Sequence, residues 1–283
     1  MSGPSVGYKP ASPHLPARKG LYILPSIFTA ANIAAGYYAI SQSIAGSVSD
    51  PWHFDLAAKA IGFAILFDGL DGRIARITNT ASAFGRELDS LADVIAFGIA
   101  PALLAWLWGF RTLPAMNDFE LRGQIVKFGA VATFVFLMAG AARLARFNIQ
   151  VNPQPSNPGR PGRKYFVGMP IPAGAGVIAS VVHFESGSPI SDPRMAIVWL
   201  CLILFTGFLM VSTWRFWSGK EISLGQRHPF QLVAVIVAVG ALIALYSEYV
   251  LIIVALGYLV SGVVARLAYS WGQKRRRVSA ANQ

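Results

Sequence analysis

Residues 68–93 read DGLDGRIARITNTASAFGRELDSLAD, and four aspartates divide this stretch into two pairs. Asp68 and Asp71 are spaced i, i+3 and Asp89 and Asp93 are spaced i, i+4, so each pair lies on one face of a helix. A polar Thr-Asn-Thr break separates the two helices, which we therefore expect to run antiparallel as neighbours. At a rise of about 1.5 Å per residue, both pairs lie about 15 Å from the break and face each other at one depth.

The composition of the chain indicates a membrane protein. Hydrophobic residues make up 54% of the 283 positions and charged residues 13%, whereas soluble domains average about 25% charged residues. The mean hydropathy of +0.52 excludes a disordered chain, which requires low hydrophobicity, and argues against an ordinary soluble enzyme. A single cysteine, Cys201, excludes a disulfide scaffold, and its apolar surroundings predict a buried structural thiol.

Eight segments are apolar and long enough to be interpreted as membrane-spanning helices, which need roughly 17–25 residues each. They are predicted at residues 21–44, 54–77, 82–110, 124–148, 169–184, 194–216, 229–247 and 249–270. The sequence therefore predicts an all-α polytopic membrane protein with about eight transmembrane helices. One transmembrane domain, which carries the aspartates, covers residues 21–270, between an N-terminal tail of residues 1–20 and a basic C-terminal tail of residues 271–283.

The basic residues are distributed unequally between the two sides of the membrane. If the predicted spans alternate in direction, 19 of the 24 Lys and Arg residues lie on the side that holds both termini, and five lie on the other. Cytoplasmic loops carry the Lys and Arg excess, so we expect a multi-pass cell (inner) membrane protein with both termini in the cytoplasm. The net charge of +11 is then mostly a topology signal. We expect the basic C-terminal tail to contact anionic membrane lipids, and we predict no nucleic-acid partner.

Four carboxylates near one membrane boundary need a cationic partner. An aspartate at the centre of a membrane helix costs roughly 2.5–3.5 kcal/mol, and less toward the ends. Arg76 is near, but one arginine cannot order four carboxylates. Mg²⁺ and Mn²⁺ prefer oxygen ligands, and two metal ions that share carboxylates form a clamp for phosphoryl transfer. We therefore expect a site for Mg²⁺ or Mn²⁺, with a divalent-cation transporter as a second interpretation.

The same stretch resembles the signature of the CDP-alcohol phosphatidyltransferase family, D-x-x-D-G-x-x-A-R-x8-G-x3-D-x3-D, at every fixed position. The resemblance implies a membrane enzyme that transfers a phosphatidyl group from a CDP-linked lipid to an alcohol and releases CMP. It implies that Asp68, Asp71, Asp89 and Asp93 bind two divalent ions, and that Asp93 is also the catalytic base toward the incoming hydroxyl. It further implies a CDP-lipid pocket, which consists of Thr29, Gly72, Ala75, Arg76 and Gly85.

Segments on both sides of the signature resemble the integral-membrane members of the family that use L-serine as the acceptor alcohol. These segments are LPSIFTAAN (residues 24–32), AFGIAPA (96–102), ARLARFN (142–148), GMPIPA (168–173) and MVSTWR (210–215). The resemblance covers roughly residues 20–220. It implies CDP-diacylglycerol and L-serine as substrates, an active site that faces the cytoplasm, and a homodimer.

The chemistry of the acceptor indicates a further set of residues. Serine brings a carboxylate, and a buried arginine pairs with a carboxylate through two hydrogen bonds. Arg143, Arg146 and Arg215 lie near the cytoplasmic ends of predicted spans, so we expect at least one of them to bind the serine carboxylate. Asn148 is a further candidate. The same arginines also fit glycerol 3-phosphate or an inositol phosphate, and choline is another acceptor in the family, so residue chemistry alone leaves the acceptor open.

Overall fold

The structure is a computed structural model and describes residues 23–78, 83–115, 119–150, 154–157, 165–218 and 229–281. The N-terminal tail predicted at residues 1–20 lies outside the described residues. Within these ranges the chain forms α-helices, two π-helical turns and two short strands. They are α1 (Ile23–Ala45), α2 (Trp52–Thr78), α3 (Ala83–Asp93), π1 (Val94–Ile99), α4 (Ala100–Trp106), π2 (Leu107–Arg111), α5 (Phe119–Ile149), β1 (Tyr165–Val167), α6 (Ile171–Phe184), α7 (Pro193–Val211), β2 (Arg215–Trp217) and α8 (Pro229–Ala281).

Four helical stretches among the described residues are long and apolar enough to cross a membrane. They are Phe84–Arg111, Glu120–Ile149, Pro193–Val211 and Val237–Gly272. Many large apolar side chains on α5, α7 and α8 are exposed, as expected for helices that face lipid. The chain is therefore an all-α membrane protein. The predicted spans coincide with helices, but α1 and α2 are not among these four stretches, and α6, with 14 residues, is shorter than a span needs.

The C-terminal half differs from the sequence predictions in two details. Cys201, predicted to be buried, is exposed on α7, because apolar residues of a membrane helix lose nothing by facing lipid. The last two predicted spans belong to one helical element, α8, which is interrupted at Tyr246 (φ −137°, ψ 39°). This helix continues to Ala281, so the residues predicted as a C-terminal tail are helical almost to the end of the chain.

The helices that carry the aspartates pack against α1. α1 lies along α2 and also contacts α3 and π1. Small residues allow this close packing: a Cβ atom on Gly36 would lie 2.8 Å from the Cα atom of Ala96 in π1, and Ala57, Ala60 and Ala64 of α2 are buried. Small residues at such interfaces let helix backbones approach one another. α1 is therefore held directly beside both halves of the aspartate stretch.

A two-stranded antiparallel ladder connects the segment before α6 to the segment after α7. Tyr165 pairs with Trp217, and Val167 pairs with Arg215. Gly168 follows β1 with a φ of 75°, a conformation that glycine adopts without strain, and the chain then enters α6. The ladder thus ties the start of α6 to the end of α7.

A chain of hydrogen bonds joins α2, α6 and α8 away from the aspartates. Nδ1 of His183 lies 2.5 Å from Oδ1 of Asp55, and Nε2 of His183 lies 2.9 Å from the hydroxyl of Ser247. Asp55 also forms an ion pair of 2.7 Å with Lys59. Asp55 precedes Asp68 by about 20 Å along α2, at 1.5 Å per residue. These contacts stabilise the helix bundle without touching the aspartate group.

Candidate active site

Three of the four predicted metal ligands converge between α2 and α3. One carboxylate oxygen from each of Asp68, Asp89 and Asp93 lies within 4.8 Å of the other two. Among the described residues, no Lys or Arg nitrogen forms an ion pair with these carboxylates. Carboxylate oxygens without a cationic partner are the donors that Mg²⁺ and Mn²⁺ prefer. The residues present therefore fit a divalent metal ion.

Asp71 lies beside this group of three but is directed toward α1. The Thr29 hydroxyl donates a hydrogen bond of 2.5 Å to Oδ2 of Asp71. Asp71 remains within electrostatic reach of Asp68 and Asp89. Of the four predicted ligands, Asp68, Asp89 and Asp93 therefore form one group, and Asp71 lies next to it. It also places Thr29, which the resemblance assigns to the CDP-lipid pocket, one hydrogen bond from a candidate metal ligand.

Asp93 occupies the junction between α3 and a π-helical turn. It is buried, it is the last residue of α3, and π1 begins at the next residue. Its Oδ1 atom is buried without a hydrogen-bond partner among the described residues. A buried polar atom without a partner is costly unless a ligand satisfies it, and π-helical turns are frequent at functional sites. Asp93 is therefore the carboxylate best suited to meet a substrate or a metal ion.

Four of the predicted CDP-lipid residues, Gly72, Ala75, Arg76 and Gly85, lie on α2 and α3. Among the described residues, a Cβ atom on Gly72 would meet no atom within 4 Å. Gly85 is half-buried near the start of α3. The side chains of Ala75 and Arg76 lie outside the described residues, so their predicted contacts with the CDP-lipid stay predictions.

Arg143 and Arg146, one turn apart on α5, have different surroundings. Arg143 is 7% exposed, interacts electrostatically with Asp93, and its Nε atom has no hydrogen-bond partner among the described residues. The Arg146 guanidinium instead donates hydrogen bonds of 2.8–3.3 Å to the backbone carbonyls of Val167, Val211 and Ser212. A cation at the carbonyl end of α7 is favourable because it meets the negative end of the helix dipole. Arg146 thus joins α5 to α7 and β1.

Asn148 and Arg215, the other two candidate acceptor residues, also make contacts within the protein. Nδ2 of Asn148 donates a hydrogen bond of 3.0 Å to the hydroxyl of Ser90, which links α5 to α3. The Arg215 guanidinium lies over the ring of Tyr165, 5.5 Å from its centre. Of the four candidates in the described part of the chain, Arg143 is the one that interacts electrostatically with Asp93.

Asn32 of α1 belongs to this site but was not predicted from the sequence. It is 0% exposed and lies beside the Asp93 carboxyl. Its amide N–H₂ group interacts with that carboxyl, whereas its amide oxygen has no hydrogen-bond partner among the described residues. The sequence holds a signal for it, because Asn32 follows Thr29 by three positions and so lies on the same face of α1.

Comparison with known proteins identifies the family of this chain. The family model described as CDP-alcohol phosphatidyltransferase matches residues 22–204. The chain belongs to the CDP-alcohol phosphatidyltransferase family. Among its relatives is a CDP-diacylglycerol–serine O-phosphatidyltransferase of Helicobacter pylori, which is 36% identical over 202 residues, or 71% of this chain and 75% of that protein.

Two further relatives carry the same name. The protein from Mycobacterium leprae is 32% identical over 248 residues, which are 84% of this chain and 73% of that protein. The protein from Saccharomyces cerevisiae is 33% identical over 173 residues, which are 60% of this chain and 56% of that protein. Family membership makes the chain an enzyme, and so decides between the transferase and the cation transporter that the sequence left open.

Proposed function

We propose that this CDP-alcohol phosphatidyltransferase is a phosphatidylserine synthase that transfers the phosphatidyl group of CDP-diacylglycerol to the hydroxyl of L-serine. The observation that carries the proposal is the convergence of Asp68, Asp89 and Asp93 in a chain whose relatives are CDP-diacylglycerol–serine O-phosphatidyltransferases. The neighbouring Arg143 supports serine as the acceptor, because its buried guanidinium is suited to a carboxylate.

The reaction is a displacement at phosphorus. The serine hydroxyl oxygen bonds to the phosphorus atom of the phosphatidyl group, and the bond from that phosphorus to the CMP oxygen breaks. CMP leaves with the electron pair, and the hydroxyl proton passes to Asp93. A hydroxyl is a poor nucleophile until a positioned base takes its proton, and the buried Oδ1 of Asp93, which has no hydrogen-bond partner among the described residues, supports this role.

The negative charge of the diphosphate and of the departing CMP must be neutralised. Two Mg²⁺ or Mn²⁺ ions held by Asp68, Asp71, Asp89 and Asp93 would supply that neutralisation. Thr29 holds Asp71 in position through its hydrogen bond. We propose that Gly72, Ala75, Arg76 and Gly85 line the pocket for the CDP group.

We propose that Arg143 binds the serine carboxylate, and that Arg146, Asn148 and Arg215 support the fold around it. The contacts of Arg146 with three carbonyls leave its guanidinium less available for a substrate. Arg143 has an unpartnered Nε–H instead. A charge-assisted hydrogen bond from that group to a carboxylate offsets the cost of burying the arginine.

In the membrane, we propose about eight crossings, with both termini and the active site on the cytoplasmic side of a cell (inner) membrane, and a homodimer as the functional unit. The excess of Lys and Arg on one side supports the orientation. A site close to the membrane boundary also suits the chemistry, because the acyl chains of the donor require lipid and the CMP group requires water.

The decisive experiment measures CMP release by the purified protein from CDP-diacylglycerol with L-serine, glycerol 3-phosphate, inositol phosphate and choline. We expect release with L-serine that EDTA abolishes and that Mg²⁺ or Mn²⁺ restores. Release with glycerol 3-phosphate but not with serine would contradict the choice of acceptor. No metal-dependent release with any alcohol would contradict the proposed activity itself.

A further inference from the structure

Asn32 presents an unused hydrogen-bond acceptor at the centre of the site. Its side chain is 0% exposed, its amide N–H₂ group interacts with the Asp93 carboxyl, and its amide oxygen has no hydrogen-bond partner among the described residues. A membrane helix gains nothing from an amide oxygen in this state, because a buried polar group without a partner is destabilising by roughly 1–3 kcal/mol. The amide therefore points to a ligand that arrives from outside the fold.

The position of Asn32 is set by the close contact between α1 and π1. Gly36 lies one turn after Asn32 on α1, and Ala96 follows Asp93 by three residues. A Cβ atom on Gly36 would lie 2.8 Å from the Cα atom of Ala96, so the two backbones touch one turn away from the Asn32–Asp93 pair. The Asn32 amide is held beside the Asp93 carboxyl, while Thr29 on the same face of α1 binds Asp71.

Three buried side chains, Asp93 among them, match the polar groups of an amino-acid alcohol. Asp93 offers an unpartnered carboxylate oxygen, Arg143 an unpartnered Nε–H, and Asn32 an unpartnered amide oxygen. In the proposed function, the serine hydroxyl meets Asp93 and the serine carboxylate binds to Arg143. The serine ammonium then remains, and it needs a hydrogen-bond acceptor.

We propose that Asn32 is a binding residue for the acceptor, whose amide oxygen accepts a hydrogen bond from the ammonium group of L-serine. This inference rests on the proposed function, and it assigns to α1 a part in acceptor recognition. The amide is better suited to this position than a fifth carboxylate, because it accepts a hydrogen bond without adding negative charge to a group of four aspartates.

The test compares Asn32→Leu, which keeps the size of the side chain and removes its polar atoms, with Ser43→Ala. Ser43 is a matched control, since it is also buried on α1, and its hydroxyl bonds to the carbonyl of Ala39 in the same helix. Steady-state kinetics of CMP release give the KM for serine and the KM for CDP-diacylglycerol separately. Asn32→Ser, which keeps a small polar group, is measured in parallel, and thermal unfolding reports whether each variant is folded.

We expect Asn32→Leu to raise the KM for serine by about 10-fold to 100-fold, the range for a hydrogen bond to a charged group. The KM for CDP-diacylglycerol and the kinetics of Ser43→Ala should change by less than about 2-fold. Turnover of both Asn32 variants could be too slow to measure. In that case, calorimetric titration gives the affinity for serine of the double variant Asn32→Leu/Asp93→Asn, which is compared with that of Asp93→Asn alone.

A loss confined to kcat, with the serine KM or affinity unchanged, would overturn the inference, because Asn32 would then act only through Asp93. A parallel rise in both KM values would also overturn it, because it would indicate general disruption of the site. Wild-type protein that releases no CMP with serine contradicts the proposed function instead, so the two failures are distinguishable.

Discussion

The Thr29 hydroxyl lies 2.5 Å from Oδ2 of Asp71 and donates a hydrogen bond to it. The bond joins two residues that are 42 positions apart, and it fastens α1 to α2 at the level of the carboxylates. It engages one carboxylate oxygen of Asp71, which also interacts electrostatically with Asp68 and Asp89. A hydroxyl that orients a ligating carboxylate is a recurrent feature of metal sites.

Replacing Thr29 with valine keeps the shape of the side chain and removes this hydrogen bond. We expect Thr29→Val to raise the Mg²⁺ or Mn²⁺ concentration needed for half-maximal CMP release by about 10-fold to 100-fold, as for other residues that hold metal ligands. Thr133→Val on α5 is the control, because the hydrogen bonds of the Thr133 hydroxyl within the described residues go to carbonyls of its own helix. An unchanged metal requirement in Thr29→Val would show that the bond does not position Asp71 for a metal.

Replacing Asp93 with asparagine removes the proposed base and keeps the size of the side chain. We expect Asp93→Asn to lower kcat by about 10²-fold to 10⁴-fold, the usual contribution of a general base, while CDP-diacylglycerol still binds. Single-turnover CMP release and equilibrium binding of the CDP-lipid measure the two quantities. Glu87→Gln, an exposed acid on the same helix, should retain wild-type turnover. Near-normal turnover in Asp93→Asn would assign the base to another group.

Substitutions of the two arginines of α5 should change different quantities: the KM for serine with Arg143→Ala, and the unfolding free energy with Arg146→Ala. We expect Arg143→Ala to raise the KM for serine by about 10-fold or more, because a charge-assisted hydrogen bond to the serine carboxylate is lost. Arg146→Ala should lower the unfolding free energy by about 1–3 kcal/mol, because three carbonyls lose their donor. The measurements are serine titrations of CMP release and thermal unfolding in detergent.

Arg111→Ala, an exposed arginine, serves as the control for both variants. From the sequence alone, Arg143→Ala and Arg146→Ala are both expected to raise the KM for serine more than the KM for CDP-diacylglycerol. A rise in the serine KM for Arg146→Ala, without loss of stability, would restore Arg146 as an acceptor residue.

The contact between Gly36 and Ala96 is testable by adding one methyl group. We expect Gly36→Ala to lower kcat/KM and to destabilise the protein by about 1–3 kcal/mol, the usual cost of overpacking, because α1 must move away from π1. Gly62→Ala on α2 is the matched control, since its Cβ atom meets nothing within 4 Å, and it should be neutral or stabilising by about 0.5–1 kcal/mol. Equal effects of the two substitutions would show that the close contact is unimportant.

The sequence by itself determined the helical class of the protein, the positions of its helices and the identity of the aspartate group. These features are local: the helical repeat decides which residues share a face, and the signature of residues 68–93 carries its own spacing. Composition likewise indicated a membrane protein, because burial in lipid requires apolar residues along whole helices.

Only the tertiary structure decided which partner each polar side chain meets. Arg143 and Arg146 have the same local pattern, yet Arg143 interacts electrostatically with Asp93, whereas Arg146 donates hydrogen bonds at the carbonyl end of α7. Asn32 and Thr29 reach the site because α1 packs against π1 and α2. Such contacts join residues far apart in the chain, and they depend on how closely whole backbones approach one another, which no local periodicity encodes.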